Sequence, residues 1–276
     1  MEQAVLLAAG RGSRLAVAQP GVVLSPAQDA VARAGLKPLM PIGGHPLIDH
    51  ALATLAEIGV RRVLVVIGPH SRELADHLAG LRPRRLSIET AVQPVPRGTA
   101  DALLAAEAFA AGGPFLMGNG DNLYPAAALA ELAGAPGGAL LALDRGRVLA
   151  QGGSNLTSEK LATFARIERE ADGYLSAIVE KPAPEEYAAR VAGGEPYLVG
   201  INAFRFEPEI FAACRAVRPS PRGELELPSA VADRVAAGAR FQVIVSEEPM
   251  LDLTDRADVA YLEERLRGRV PQLGSR

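Results

Sequence analysis

The chain has 276 residues, about half of them hydrophobic, which suits one large α/β domain or two small ones with a substantial core. A formal net charge of −3, with the arginines scattered along the chain, argues against a general nucleic-acid binder. The lone Cys214 rules out an internal disulfide and a Cys-rich metal site, no apolar run is long enough to span a membrane, and the start lacks the order of a signal peptide, so a cytoplasmic protein is expected.

Val5-Leu6-Leu7-Ala8-Ala9 reads as a buried strand. It feeds Gly10-Arg11-Gly12-Ser13-Arg14-Leu15, where Gly10 and Gly12 allow a tight turn and a close approach to main-chain N–H groups. Ser13 adds a hydroxyl, and Arg11 and Arg14 add charge, so this is a phosphate-type loop. It is not a P-loop, because no Gly-Lys pair occurs. Nor is it a dinucleotide fingerprint, because Leu15 occupies the third glycine position and Gln19-Pro20-Gly21 is poor helix.

Ala16 to Leu36 holds Pro20, Gly21, Pro26 and Gly35, with a short helical stretch around Ala27–Ala34. A connection of this length is either a binding lid or a surface insertion, and the sequence leaves both open. Pro38 biases Lys37 to an extended conformation, which suits a lysine reaching into a site. From His45 to Ile58, Leu47, Ile48, Ala51, Leu52, Leu55 and Ile58 form one helical stripe, with Pro46 in the first turn and Gly59 at the end. Arg62–Ile67 is a strand, His70–Leu78 a helix with Ser71 as cap, and Leu86–Val92 a strand. This alternation predicts a doubly wound parallel sheet, which binds ligands at the C-terminal ends of its strands.

Gln93–Asp101 lies at such an end and enters a helix to about Ala111. Pro114–Met117 is a fourth strand, ending in Gly118-Asn119-Gly120-Asp121-Asn122. An Asp in a turn is common. Beside a phosphate-type loop on a neighbouring strand end, however, Asp121 is placed to hold Mg²⁺, which takes one or two carboxylates plus substrate phosphates.

The second half reads as a β-rich extension of the same sheet. Gly138–Leu143 is a strand, Gly146–Lys160 a polar excursion, and Phe164–Arg169 with Tyr174–Val179 a hairpin turning at Asp172-Gly173. Glu180-Lys181-Pro182 closes that hairpin. Tyr197–Phe206 is a strand, a helix starts near Pro208, Pro228–Ala237 is helical, Arg240–Val245 is a strand, and Ala257–Leu266 is the final helix. His45, His50, His70 and His77 have no zinc-ligand spacing and read as structural or surface groups, and Cys214 as a small core residue on a helix.

Eight segments in order then carry a resemblance. They are Leu7–Leu15, Lys37-Pro38-Leu39, Val92–Gly98, Gly120-Asp121-Asn122, Glu180-Lys181-Pro182, Gly200, Gly223-Glu224-Leu225-Glu226-Leu227 and Leu251-Asp252-Leu253-Thr254. Together they resemble the sugar-1-phosphate nucleotidyltransferases, among them the glucose-1-phosphate thymidylyltransferases and the UTP–glucose-1-phosphate uridylyltransferases. The resemblance implies a Rossmann-like, doubly wound, mostly parallel mixed sheet with a β-rich sugar-binding part. It implies one domain over residues 1–268, with a nucleotide-binding half to about 135 and a sugar-phosphate half from about 136, followed by a tail at 269–276.

The implied reaction joins an NTP, UTP or dTTP by preference, to a hexose-1-phosphate, giving NDP-sugar and pyrophosphate. Arg14, Lys37 and Asp121 would be catalytic. Leu7, Ala9, Gly10, Gly12, Ser13, Gln93, Gly98 and Thr99 would bind nucleotide. Asn122, Glu180, Lys181 and Gly200 would bind sugar phosphate, and Asp121 with Asp252 would hold Mg²⁺. Relatives are commonly dimers or tetramers, so self-association is implied too. Three departures bear on substrate: extra residues between Arg14 and Lys37, Phe164-Ala165 in place of a Tyr-Gly pair, and Gly200-Ile201-Asn202 in place of an aromatic. A purine nucleotide, an unusual sugar-like phosphate, or a non-catalytic regulatory subunit are the alternatives.

Overall fold

The computed structural model describes residues 1–152 and 154–274; Ser275 and Arg276, the end of the expected tail, lie outside the described residues. The described residues form thirteen strands, in chain order β1 (Gln3–Ala8), β2 (Pro41–Ile42), β3 (His45–Pro46), β4 (Arg62–Ile67), β5 (Ser87–Val92), β6 (Phe115–Asn119), β7 (Asn122–Leu123), β8 (Gly138–Asp144), β9 (Ala165–Arg169), β10 (Leu175–Val179), β11 (Leu198–Phe206), β12 (Phe241–Ser246) and β13 (Leu251–Asp252).

Nine of them make one sheet. Its path is β10-β9-β11-β6-β1-β4-β5, with β8 against β11 and β12 against β8. The β4–β1, β6–β1, β5–β4 and β12–β8 pairs are parallel, while β11 runs antiparallel to β6, β8 and β9. β1, β4 and β6 are near-continuous apolar runs because both faces of this sheet are covered. Along β1, Ala4, Leu6 and Ala8 join one core cluster, and Val5 and Leu7 the other. Ile48, Leu52 and Leu55, from the apolar stripe of helix Leu47–Glu57, fill the first cluster; Leu103 and Phe109, with Phe211 and Val231, fill the second. The doubly wound, mostly parallel architecture predicted from the sequence is present.

Some local expectations differ. Pro46 stands at the N-cap of helix Leu47–Glu57, one residue before its first turn, because β3 pairs with β2 there. Lys37 is not extended. It opens a 3-10 turn in which Leu39 N donates to Leu36 O at 2.8 Å and Met40 N to Lys37 O at 3.0 Å, bonds that outweigh the pre-proline bias. The polar excursion after β8 contains helix Arg145–Gln151, capped where Asp144 accepts from Arg147 N at 2.8 Å. Near the chain end, Leu273 packs against the core and its carbonyl accepts from Arg84 N at 2.9 Å. Cys214 is buried on helix Ile210–Ala216, as expected.

Candidate active site

The C-terminal ends of β1 and β6 and the segment after β5 open into one concavity of about 650 Å³. Leu7, Ala9, Gly10, Gly12, Ser13, Lys37, Gln93, Gly98, Thr99 and Asp121 all line it, so ten of the predicted site positions are brought together. The phosphate-type loop is held to β6 where Gly120 N donates to Leu7 O at 2.8 Å. Gly12 has φ +57 and sits so close to Gly35 that a Cβ on it would lie 2.2 Å from the Gly35 carbonyl oxygen; a Cβ on Gly35 would lie 2.2 Å from Arg11 O. The loop and the return of the 16–36 insertion are thus packed backbone on backbone, which only glycine permits.

The insertion itself is ordered and does not line the concavity. Its helix, Pro26–Ala34, starts with a full capping box between Ser25 and Gln28. Its Gln28 amide donates to Pro41 O at 3.0 Å and to Glu263 Oε1 at 2.8 Å.

On the opposite wall, Gln93 is buried and donates to Gly98 O at 3.1 Å and Asp101 Oδ2 at 2.9 Å. Segment 223–227 docks here. Leu225 N donates to Arg97 O at 2.7 Å, Ala100 N to Leu225 O at 2.9 Å, and Leu227 N to Thr99 Oγ1 at 2.9 Å. This docking brings Arg222, Gly223 and Glu224 into the lining. Sequence reasoning singled out the 223–227 motif and passed over Arg222 immediately before it; adjacency to that motif was the available signal.

Two carboxylates meet across a short ladder, since Asp252 in β13 pairs with Asn122 in β7. Lys37 Nζ lies 3.1 Å from Asp121 Oδ2, with both side chains largely covered. Asp252 is buried; that burial first, and the charge of Asp121 second, push its carboxyl up to about 6, against a hydrogen bond from Thr254 Oγ1. Asn122 is buried between them. With its amide nitrogen facing the acceptors, it donates to Asp121 O at 3.2 Å and Asp252 Oδ1 at 3.0 Å. Among the described residues no three His, Cys, Asp or Glu side chains cluster as a closed metal cage. Two mutually repelling carboxylates, one of them desolvated, fit a hard divalent cation whose remaining ligands come from substrate oxygens.

The predicted sugar-phosphate residues lie outside the concavity's lining. Glu180 follows β10, 3.9 Å from Arg222. Burial foremost, then the Glu226 charge, raise its carboxyl to about 7, with Arg222 pulling the other way and Glu224 adding to the rise. Lys181 is exposed and holds φ +46, an uncommon conformation for a residue with a side chain. Gly200 sits in β11, where a Cβ would come within 3.1 Å of Ile167 Cδ1. Two residues on, Asn202 has φ +52 at a bulge; its carbonyl accepts from Tyr124 Oη at 3.1 Å, and that oxygen accepts from Asn119 N at 3.0 Å. Arg14 is exposed on the turn Ser13–Ala16, also outside the lining. A second concavity, about 630 Å³ and bordered by Arg85, Arg265 and Arg269, contains none of the glycine-loop residues. No helix among the described residues is long and apolar enough to cross a membrane.

Comparison with known proteins shows the family and the fold. The family model described as nucleotidyl transferase matches residues 3–249. The chain is 32% identical over 225 residues to the glucose-1-phosphate thymidylyltransferase of Actinoplanes sp., covering 81% of this chain and 64% of that one. It is 27% identical over 285 residues to the UTP–glucose-1-phosphate uridylyltransferase of Haloferax volcanii, covering 98% of each. It spans about half the length of several other curated relatives. A crystal structure of UDP-glucose pyrophosphorylase complexed with UDP-glucose superposes with a TM-score of 0.74 over 98% of this chain and all of that one, at 17% identity, which is a likeness of fold.

Proposed function

The chain belongs to the nucleotidyl transferase family, and from that premise we propose that it transfers a nucleotidyl group from an NTP to a sugar-1-phosphate, releasing pyrophosphate. UTP or dTTP with a hexose-1-phosphate is the substrate pair we favour, in keeping with the names of the two relatives above. The observation that carries the reading is the convergence of the glycine loop, Lys37 and Asp121 on one concavity at the ends of parallel strands.

A sugar-phosphate oxygen forms the new bond to the α-phosphorus, and the bond from that phosphorus to the bridging oxygen breaks, with the electron pair leaving on pyrophosphate. The attacking oxygen is already ionised, so no protein nucleophile is required. The work is positioning and charge neutralisation. Gly10, Gly12 and Ser13 cradle the triphosphate. Arg14 and Lys37 offset its charge from two sides, and Gln93, Gly98 and Thr99 face the base and ribose, with Leu7 and Ala9 beneath. Glu180 takes sugar hydroxyls; Lys181 takes the sugar phosphate, with Gly200 leaving room for the ring. Asn122 steadies the two carboxylates, Asp121 and Asp252, which would hold Mg²⁺; when bound, the cation neutralises phosphate charge at the reacting centre. A single domain over residues 1–268, acting in the cytoplasm where NTPs are made, completes the proposal.

Pyrophosphate release with Mg²⁺ tests it, with UTP, dTTP, GTP, CTP and ATP each offered a panel of sugar-1-phosphates. Turnover with a pyrimidine triphosphate and a hexose-1-phosphate is the expected result. Tight nucleotide binding without turnover on any sugar would replace the enzyme by a regulatory binder.

A further inference from the structure

Arg256 stands four residues after Asp252 and is buried, at 7% exposure. All three of its guanidinium nitrogens are engaged across the molecule. Nε donates to Leu15 O at 3.0 Å, Nη2 to Ala16 O at 3.4 Å, and Nη1 to Asp29 Oδ1 at 2.7 Å. Leu15 and Ala16 end the short turn that carries Ser13 and Arg14, and carbonyls at such an end have no partner within the turn. Asp29 belongs to the insertion helix, and the Arg256 guanidinium beside it holds its carboxyl below the ordinary carboxylate range. The next residue joins the same contact, since Ala257 N donates to Gln19 Oε1 at 2.9 Å.

The segment that carries Arg256 is itself fixed. Asp258 accepts from Thr254 N at 2.8 Å and Asp255 N at 3.0 Å, while Thr254 Oγ1 holds Asp252. Asn155 Nδ2 also bonds Asp252 O at 2.7 Å. One rigid stretch therefore carries a candidate metal carboxylate at one end and, at the other, a buried fork that grips the base of the glycine loop. The insertion closes the frame from the far side, through Gly35 against Gly12.

We propose that Arg256 is a positioning residue that holds the Ser13–Arg14 end of the triphosphate loop in fixed relation to the Asp252 segment, with Asp29 of the insertion as its counter-charge. Its effect on substrate rests on the nucleotidyl-transfer reading above. Its effect on the loop does not. A planar guanidinium with donors on all three nitrogens suits these three diverging acceptors, whereas the single ammonium of a lysine cannot reach all of them from one point.

The test uses Arg256→Ala, Arg256→Lys and Asp29→Asn in the full chain, with two readouts. The first is hydrogen exchange at Ala16 and Val17, whose amides bond to Gly12 O at 3.2 Å and Arg14 O at 3.3 Å. The second is the KM for the triphosphate against the KM for the sugar phosphate. Arg256→Ala should speed exchange at these amides by about tenfold and raise the triphosphate KM by about tenfold, with the sugar-phosphate KM within about twofold. Arg256→Lys should fall between Arg256→Ala and wild type, and Asp29→Asn should give a smaller change of the same kind. Wild-type exchange at Ala16 and Val17 in Arg256→Ala overturns the inference. So does a uniform loss, in which exchange rises equally in β4 and both KM values rise together. If the wild type turns over no nucleotide at all, the functional reading fails, and the exchange comparison alone decides the role of Arg256.

Discussion

Lys37 and Asp121 form a largely covered ion pair at the mouth of β6, beside a carboxyl at Asp252 that is already pushed up to about 6. Asp121→Asn removes the negative charge while keeping the shape, so we expect turnover to fall by three orders of magnitude or so with the melting temperature almost unchanged. Near-normal turnover in Mg²⁺ would show that the cation is held elsewhere. Glu180 gives a second test. Its carboxyl, at about 7, lies above its ordinary 4.5, so the protonated form is favoured in the folded state. That stabilisation is complete below about pH 4.5 and is lost as pH rises through 7. Glu180→Gln should therefore match wild type in stability at low pH and exceed it at pH 8 by on the order of 2 kcal/mol, read by denaturant melts at both pH values. On the role proposed for Glu180, the ionising carboxylate gains capacity to accept sugar hydroxyls in the same window. The sugar-phosphate KM should fall from pH 6 to 8 in wild type, and Glu180→Gln should retain only the slope due to the substrate's own phosphate. At this scale the sequence revealed the residues that chain-local rules can mark: glycines after an apolar run, a lysine before proline, an Asp directly after the glycines that end a buried strand. Arg256 escaped because its partners, Leu15, Ala16 and Asp29, are far away in the chain; Arg222, whose partners Glu224 and Glu226 lie within four residues, escaped because only the docking of the segment after it brings it to the concavity.

Elements were legible where apolar spacing was regular, as in β4, β10 and helix Leu47–Glu57. Helices Ala126–Gly134 and Pro184–Ala192 were not anticipated. The first is Ala-rich and apolar on most sides, so it shows no clear stripe; the second rests its apolar face on only Tyr187 and Val191, two residues in a stretch otherwise charged or small. Docking between elements was the harder matter. Segment 223–227 lies against 97–100 only because Gly98, at φ +125, leaves no atom where a Cβ would be 2.4 Å from Leu225 O. Gly98→Ala should displace that segment together with Arg222 and Glu224, raising both KM values by at least about tenfold and lowering the melting temperature by several degrees. Gly80→Ala is the matching control. Its Cβ would meet nothing within 4 Å, so it should leave activity intact and raise stability by a few tenths of a kcal/mol to ~1 kcal/mol.

The large sheet turns on β11, which pairs with β6 and then β9 along one edge and with β8 along the other. A shared ladder predicts a single cooperative unfolding transition by calorimetry, shifted upward as one by Mg²⁺ and the correct triphosphate; at a hundredfold excess over Kd the gain is ~2.7 kcal/mol. Two separable transitions would instead divide the chain near residue 135. The mixed character of the sheet was legible only as a change from helix–strand alternation to strand-rich sequence. Which strand ran antiparallel, and that β11 would be the junction, depended on pairings between segments far apart in the chain.

The contact between Gly12 and Gly35 also bears on how such a chain can change over generations. The backbone leaves the glycine loop and returns to it at the same point, so everything from about residue 16 to residue 34 hangs from a closed neck. Closing a longer or shorter excursion at a fixed neck costs little, about 0.6 kcal/mol for each doubling of length. Length in this stretch is therefore free to drift without resizing the cavity behind it. What a lineage must keep is the pair of glycines at the neck, and what it is free to invent is the anchor that stows the excess.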